Sequence, residues 1–291
     1  MISNRHLSHG LALARLPRYH DTIGSASKFH HVLLPVPDML RTACLPIAGV
    51  ALLLVSGFSQ QPGGEAATPR PRDAEGPWLL LHSRHLARAK QGPIDLLFLG
   101  DSITQSWNDN DTWKRYYAPR NAANFGIGGD RTQHLLWRLD HGALEGYQPK
   151  VVVLLIGTNN IGNCTLDDIA EGVKAILTRL RTHFPSTRIL LLGVLPRYGD
   201  RPPSPDALTA QPDPRVPALN SRLKSLADGK SVSFLDIGPH FLNPDGSIPK
   251  ALMPDFLHFS ELGYRTWADA MEPLLWELFE GAAASSPSSM P

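Results

Sequence analysis

The sequence has almost no cysteine, no charge excess and no long apolar run, and each absence removes a class of function. Cys44 and Cys164 are its only cysteines, too few for a disulfide framework or a structural zinc site. Its 28 basic and 27 acidic side chains leave a formal charge of +1, with no basic stripe of the kind that binds nucleic acid. No segment recurs at a period that builds a solenoid or a propeller. What is present is 42% hydrophobic and 19% charged over 291 residues. That is ordinary globular stock, too apolar for a disordered chain and enough for one α/β domain with extensions.

The basic groups are unevenly spread. Residues 1–57 hold Arg5, Arg15, Arg18, Lys28 and Arg41 against Asp21 and Asp38, and no charged residue occurs between Thr42 and Gly64. Within that stretch Ile47–Val55 is apolar, with Arg41 before it and the small residues Ser56 and Gly57 after it. A basic flank, an apolar stretch of about 7–15 residues and a small-residue cleavage site make a secretory signal peptide. The run falls short of the roughly 18–20 residues that span a bilayer, so an uncleaved membrane anchor is the alternative. Counting from Met39 gives a leader of ordinary proportions, and translation is expected to start there. Residues 58–73 are rich in Pro, Gly and Ala and are expected to be a linker, and 281–291 a disordered tail. The folded unit is then one domain over 74–280, exported to the periplasm or the medium.

Within that unit, short apolar runs alternate with helical patterns. Trp78–Lys90 has helical spacing and stops at Gln91-Gly92-Pro93. Runs at Ile94–Leu99, Ala122–Ile127, Val151–Ile156, Ile189–Leu195 and Val232–Ile237 read as strands buried on both faces of a parallel sheet. Helical patterns at Trp107–Tyr117, Thr132–Leu139, Leu166–Phe184, Val216–Ala227 and Ser260–Glu280 lie between and after them. The expected fold is three-layer α/β/α, a doubly wound parallel five-stranded sheet. Ligands of such sheets gather beyond the carboxyl ends of the strands.

Four polar clusters fall at those ends: Gly100-Asp101-Ser102, Gly126-Ile-Gly-Gly129-Asp130, Gly157-Thr-Asn159-Asn160 and Asp255-Phe-Leu-His258. Together they hold the parts of an acyl-transfer site. Ser102 is the candidate nucleophile and needs a base within hydrogen-bond reach. His258 supplies the base, and Asp255 fixes its tautomer and stabilises the imidazolium. The backbone N–H groups of Ser102 and Gly129 and the side-chain amide of Asn159 are the candidate oxyanion donors. Each cluster alone is an ordinary turn or cap; their order and placement give them weight.

Other candidates are weaker. No His-Glu-x-x-His and no Gly-x-Ser-x-Gly occurs, which removes two common hydrolase scaffolds. Gly126-Ile-Gly-Gly129 lacks the spacing of a dinucleotide loop. His82 and His85 have no matching metal ligands elsewhere and are expected on a solvated helix face. Trp107 is a candidate wall of an acyl pocket, Trp137 a core residue, and Asp101 a structural acceptor that ties loops together.

In block order the sequence resembles the GDSL or SGNH hydrolases. More closely, it resembles the catalytic subunits of intracellular platelet-activating factor acetylhydrolase and their bacterial relatives. The likeness is densest in Leu97–Ser102, Asn124–Asp130, His134–Leu139, Gly157–Asn160 and Asp255–His258. It implies flavodoxin-like topology and a short-chain, acetyl-preferring serine esterase. Ser102, Asp255 and His258 would be catalytic, Gly129 and Asn159 would complete the oxyanion hole, and no metal or cofactor would be needed. Arg131 and Gln133 depart from it, since the acetylhydrolase subunits more often carry Thr and Arg there, so leaving-group preference does not carry over. An exported protein would also not meet the cytosolic regulatory partner of the animal enzyme. Small-molecule, polysaccharide or lipid esters are the expected partners, with no stable membrane insertion after leader cleavage; a homodimer is compatible with the sequence. Carbohydrate O-acetylesterase and lysophospholipase are the alternatives within the class, and a non-catalytic carbohydrate- or lipid-binding protein the alternative outside it.

N-terminal sequencing and intact mass of the natural protein test the leader. A mature chain that begins just after Gly57, with no peptide from residues 1–38, is the expected result; a recovered peptide from 1–38 overturns the Met39 start.

Overall fold

The computed structural model describes residues 64–73 and 76–284. The leader (1–57), the first part of the expected linker (58–63) and the end of the expected tail (285–291) lie outside the described residues. In chain order the elements are α1 (Pro77–Ala89), β1 (Leu96–Gly100), α2 (Ser102–Gln105), α3 (Asp111–Tyr116), β2 (Ala122–Gly126), α4 (Thr132–Arg138), β3 (Val151–Leu155), α5 (Leu166–His183), β4 (Arg188–Leu192), β5 (Thr209–Ala210), α6 (Arg215–Lys224), β6 (Val232–Leu235), β7 (Ile248–Pro249) and α7 (Glu261–Ala284).

The main sheet has the order β2-β1-β3-β4-β6, with every pair parallel. Successive side chains of a strand point to opposite faces, and here both faces are apolar. Leu97, Leu99, Val152, Leu154, Ile189 and Leu191 pack on one side with residues of α1, α4, α5 and α6. Leu96, Phe98, Val151, Val153, Leu155, Leu190 and Leu192 pack on the other with residues of α3 and α7. This is the doubly wound, three-layer α/β arrangement expected from the runs. The chain leaves β1 toward β2 on one side and returns to β3 on the other, so the loops after β1 and β3 diverge at the carboxyl edge.

Local chemistry sets the helix ends. Thr165 Oγ1 accepts the Asp168 N–H at 3.1 Å to start α5, and Asp167 and Asp168 complement the positive end of that helix. The run Trp107–Tyr117 is not one helix but a 3₁₀ turn (Ser106–Asp109) followed by α3. Asn110 interrupts it by accepting the Thr112 N–H on its side chain at 2.8 Å, a cap that restarts the chain in a new direction. One further expectation is corrected. β6 lies at the sheet edge, with Ser233, Phe234 and Leu235 only half-buried, so it is not buried on both faces. The ribbon of β5 and β7 was not expected, because two residues are too short to show alternation.

The stretch 64–73 is not a free linker. Glu65–Ala67 forms a short turn with Ala66 fully buried. Thr132 Oγ1 donates to Ala66 O at 2.7 Å and Arg70 N–H to Gln133 O at 3.2 Å. The close approach needs Gly172 on α5, where a Cβ would stand 2.6 Å from Ala66 O. At the other end, α7 continues through Gly281 to Ala284, four residues into the expected tail.

His82 and His85 are also displaced from expectation: both are buried on α1, not solvated. His82 Nε2 lies 3.0 Å from His141 O, and His85 stacks on Phe125 with ring centroids 4.7 Å apart. Burial, aided by the Arg138 charge and by His82, pushes His85 down to about 3, so both rings pack as neutral aromatic surface. The unfolded chain binds a proton at His85 below its ordinary pKa and the folded chain does not, so stability falls as pH drops from about 6.5 toward 3. His85→Phe is expected to flatten that dependence, measured as the urea midpoint at about pH 7 and about pH 4.5. An unchanged acid sensitivity would show that His85 does not carry it.

Candidate active site

The site assembles at the carboxyl edge of the sheet. Asp101 caps α2 by accepting the Ile103 N–H on Oδ1 at 3.0 Å, so the chain leaves β1, turns once and places Ser102 at the head of a short helix. That helix sits close over the sheet because Gly100 and Gly126, paired across the β1–β2 register, are both glycine. A Cβ on Gly126 would run into the backbone of Asp101 and Gln105, and one on Gly100 into the Leu155 carbonyl.

Asp255 and His258 come from one turn before α7. Asp255 Oδ1 accepts the Leu257 N–H at 3.0 Å and the His258 N–H at 2.6 Å, and Oδ2 accepts from His258 Nδ1 at 2.7 Å. The turn closes through Phe256, a non-glycine at φ +58°, which is an uncommon conformation. The strain is held by the buried Phe256 ring and by backbone bonds from Phe256 N–H to Met253 O and from Tyr198 N–H to Phe256 O. With Nδ1 donating to Asp255, Nε2 is the acceptor nitrogen, and it lies 2.9 Å from Ser102 Oγ. The residues are 156 positions apart in the chain.

Partial burial pushes the Asp255 carboxyl up, but the hydrogen bonds from the His258 ring, its backbone N–H and Leu257 N–H outweigh it and hold the group below its ordinary value. The carboxylate is therefore charged at neutral pH. Any stability from the pair is fully present there and is lost only as pH falls through the depressed value. The His258 and Asp255 side chains are 40% and 56% exposed, so solvent reaches the ring.

Gly129 has φ +78°, where only glycine is unstrained, and its N–H has no acceptor among the described residues. Gly128 N–H donates to Gln105 Oε1 at 2.6 Å, tying this loop to α2. The Ser102 N–H lies in the first turn of a helix and so has no intrahelical acceptor. Asn159 is brought to the same place but is not free: its amide donates to Asp130 O at 2.9 Å and lies 3.4 Å from Asp101 Oδ2. Asp101, wholly buried, is pushed up to about 7 by burial against the pull of the Ile103 N–H, with the Asp130 charge adding and His258 opposing.

Beneath these loops lies a layer that the motifs do not show. Arg138 and Asp130 form a fully buried ion pair, with Nε 2.9 Å from Asp130 Oδ2. Arg138 also donates to Phe125 O at 2.8 Å and Gly100 O at 3.3 Å, the ends of β2 and β1. Trp78 Nε1 donates to Asp130 Oδ1 at 2.7 Å. Asn124 joins the same layer, donating to Thr104 O at 2.8 Å. Sequence reasoning assigned these residues no role. The available signal was an arginine inside the apolar run Leu135–Leu139 and an asparagine inside a strand. Trp107 does not line a pocket: it is fully buried against Trp267 and Tyr264. Trp137 is half-buried and stacks on His141. Among the described residues no group of three His, Cys, Asp or Glu side chains could hold a metal ion.

The GDSL-like Lipase/Acylhydrolase family model matches residues 98–266. The chain belongs to that family. It is 37% identical over 219 residues to the human platelet-activating factor acetylhydrolase IB subunit alpha1, covering 75% of this chain and 91% of that one. It is 38% identical over 227 residues to the rat alpha2 subunit, covering 77% and 95%. A structure described as an acylhydrolase from Bacteroides fragilis superposes with a TM-score of 0.58 at 21% identity, covering 70% of this chain and all of that one. A GDSL-like lipase from Bacteroides thetaiotaomicron gives 0.54 at 17% identity over 67% and 97%. The two structures share the fold; family membership makes the chain a hydrolase of the GDSL-like acylhydrolase type, and so an enzyme.

Arg138→Met leaves the Asp130 charge buried without its partner, and removing one member of a buried pair typically costs about 3–5 kcal/mol. The expected result is a large drop in the urea midpoint at unchanged slope. A loss below about 1 kcal/mol would show that the pair does not hold the loops.

Proposed function

We propose that the protein is a serine esterase acting on short acyl esters, acetyl foremost, through an acyl-enzyme. The observation that carries this reading is the 2.9 Å contact of Ser102 Oγ with a His258 ring already bonded to Asp255. Ser102 Oγ attacks the ester carbonyl carbon while His258 Nε2 takes its proton. The oxyanion that forms is met by the N–H groups of Ser102 and Gly129 and by the Asn159 amide, whose long contact to Asp101 Oδ2 at 3.4 Å is the one it gives up. His258 then protonates the departing alcohol. Water, deprotonated by the same ring, attacks the acyl-enzyme, and collapse frees the acid and restores Ser102. No step calls for a metal or a cofactor.

The acetyl preference is supported by the subunits to which this chain is 35–38% identical, which are acetylhydrolases by name. Acetylated polysaccharide and lysophospholipid are the competing substrates. Export belongs to the same proposal and is supported by the apolar stretch Ile47–Val55 behind Arg41.

Hydrolysis rates for acetyl, butyryl and octanoyl p-nitrophenyl esters and for acetyl-xylan test the reading. The acetyl ester is expected to turn over fastest. Ser102→Ala is expected to abolish hydrolysis, and Asp255→Asn to lower kcat by roughly 10³–10⁴-fold. A fluorophosphonate probe is expected to label the peptide that carries Ser102. Labelling elsewhere, or activity that survives Ser102→Ala, overturns the mechanism; fastest turnover of octanoyl overturns the short-acyl preference.

A further inference from the structure

The chain that leaves β4 runs through Arg197 and Tyr198, and these two adjacent residues reach both halves of the site. β4 pairs with β3, so this exit lies beside the loop that carries Asn159. Arg197 Nη1 donates to Thr158 O at 2.8 Å, the carbonyl of the peptide unit that leads into Asn159. Tyr198 N–H donates to Phe256 O at 3.0 Å, inside the turn that carries Asp255 and His258. One dipeptide therefore joins the loop of a proposed oxyanion donor to the turn of the proposed base.

The Thr158 carbonyl needs this donor. Thr158 is buried. In the short turn Thr158–Asn160 its carbonyl is also approached by Ile161 N–H, but only at 3.4 Å, beyond the usual N–H···O range. A guanidinium brings a charged donor, which bonds a carbonyl more strongly than a neutral one does. The fork is braced from behind. Nε donates to Tyr198 O at 3.1 Å, the Arg197 carbonyl accepts the Asp213 N–H at 2.7 Å, and the guanidinium lies 5.5 Å from the centroid of the Tyr198 ring. Asp213 does not draw Arg197 away, because Arg215 Nε and Nη2 hold its carboxylate at 2.9 and 2.7 Å.

Asn159 is the oxyanion donor that most depends on such a brace. The Ser102 and Gly129 donors are backbone groups, whereas the Asn159 amide sits at the end of a side chain and follows its loop. Gly157, just before the turn, has φ +121° and no side chain to anchor it. A misplacement of about 1 Å in a catalytic group lowers the rate by on the order of 10²-fold.

We propose that Arg197 is a positioning residue of the esterase: by holding the Thr158 carbonyl it fixes Asn159 against the His258 turn, so that its loss is felt when the oxyanion forms and not when substrate binds. The proposal rests on the esterase reading above and gives the loop after β4 a part in the chemistry, exerted through Asn159.

The test is a double-mutant cycle in the full protein, with kcat and KM measured on p-nitrophenyl acetate for the wild type, Arg197→Met, Asn159→Ala and the two combined. Asn159→Ala is expected to lower kcat by about 10²–10³-fold, as loss of an oxyanion donor does. Arg197→Met, which only loosens that donor, is expected to lower kcat about tenfold with KM changed less than about twofold. In the Asn159→Ala background the same change is expected to lower kcat less than about twofold, because the donor that Arg197 positions is gone. Arg197→Lys, which keeps a charged donor for Thr158 O, is expected to recover part of the loss. Thermal unfolding reports that each variant is folded, and Arg197→Gln carries the same cycle in place of an Arg197→Met that does not fold. Full additivity with Asn159→Ala, a loss confined to KM, or an unchanged kcat overturns the positioning role while hydrolysis still requires Ser102. Wild-type kcat in Asn159→Ala also overturns it. Hydrolysis that survives Ser102→Ala overturns the esterase reading beneath it.

Discussion

The buried pair of Asp130 and Arg138 lies under the loops at the carboxyl edge of the sheet and ties them together. Three strands end within one small region, and the chain leaves each of them in a different direction. Arg138 has donors in a flat fork, and it spends them on the Gly100 and Phe125 carbonyls near the ends of β1 and β2 and on the Asp130 carboxylate. Asp130 in turn takes the Trp78 indole, while its carbonyl takes the Asn159 amide from the loop after β3. Two charges removed from water are destabilising unless every donor and lone pair is satisfied, and here the satisfying groups are the Gly100 and Phe125 carbonyls, at the strand ends that lead to Ser102 and Gly129, and the Trp78 indole. The desolvation penalty of the pair is therefore coupled to the geometry of the edge.

On that frame each candidate catalytic side chain is oriented by contacts within its own turn. Asp255 and His258 orient one another within a single turn, helped by a left-handed Phe256 that is locked by its buried ring. Ser102 is aimed by the Asp101 cap and by the two glycines that let α2 sit on the sheet. Donors fixed before substrate arrives need no reorganisation when charge develops. Of the proposed oxyanion donors only the Asn159 amide is already engaged, and the weaker of its two contacts is at 3.4 Å.

The segment 64–73 shows how composition can mislead. Its Pro, Gly and Ala content matches that of a linker, yet small residues also permit close packing, and Ala66 fits against Gly172 where a larger pair would not. Docking brings Arg70 and Arg72 beside the Gly128–Gly129 loop, so a stretch without regular structure changes the charge of the site.

Strand and helix positions were legible because they rest on periodicity within a few residues, and the parallel sheet because its strands are apolar on both faces. The pairing of Asp255 with His258 was legible for the same local reason, a carboxylate and an imidazole three residues apart on one turn. Buried His82 and His85, the broken helix at Asn110 and the Arg138 layer were not, since a polar residue looks alike in sequence whether it faces water or a buried acceptor. The sequence by itself determined the fold class, the family and the candidate catalytic side chains. Only the tertiary structure decided that Ser102 meets His258 across 156 residues, that Asp130 and Arg138 bind three loops, and that 64–73 docks beside the Gly128–Gly129 loop. These depend on how distant backbones dock, and no local pattern encodes the distance between two loops.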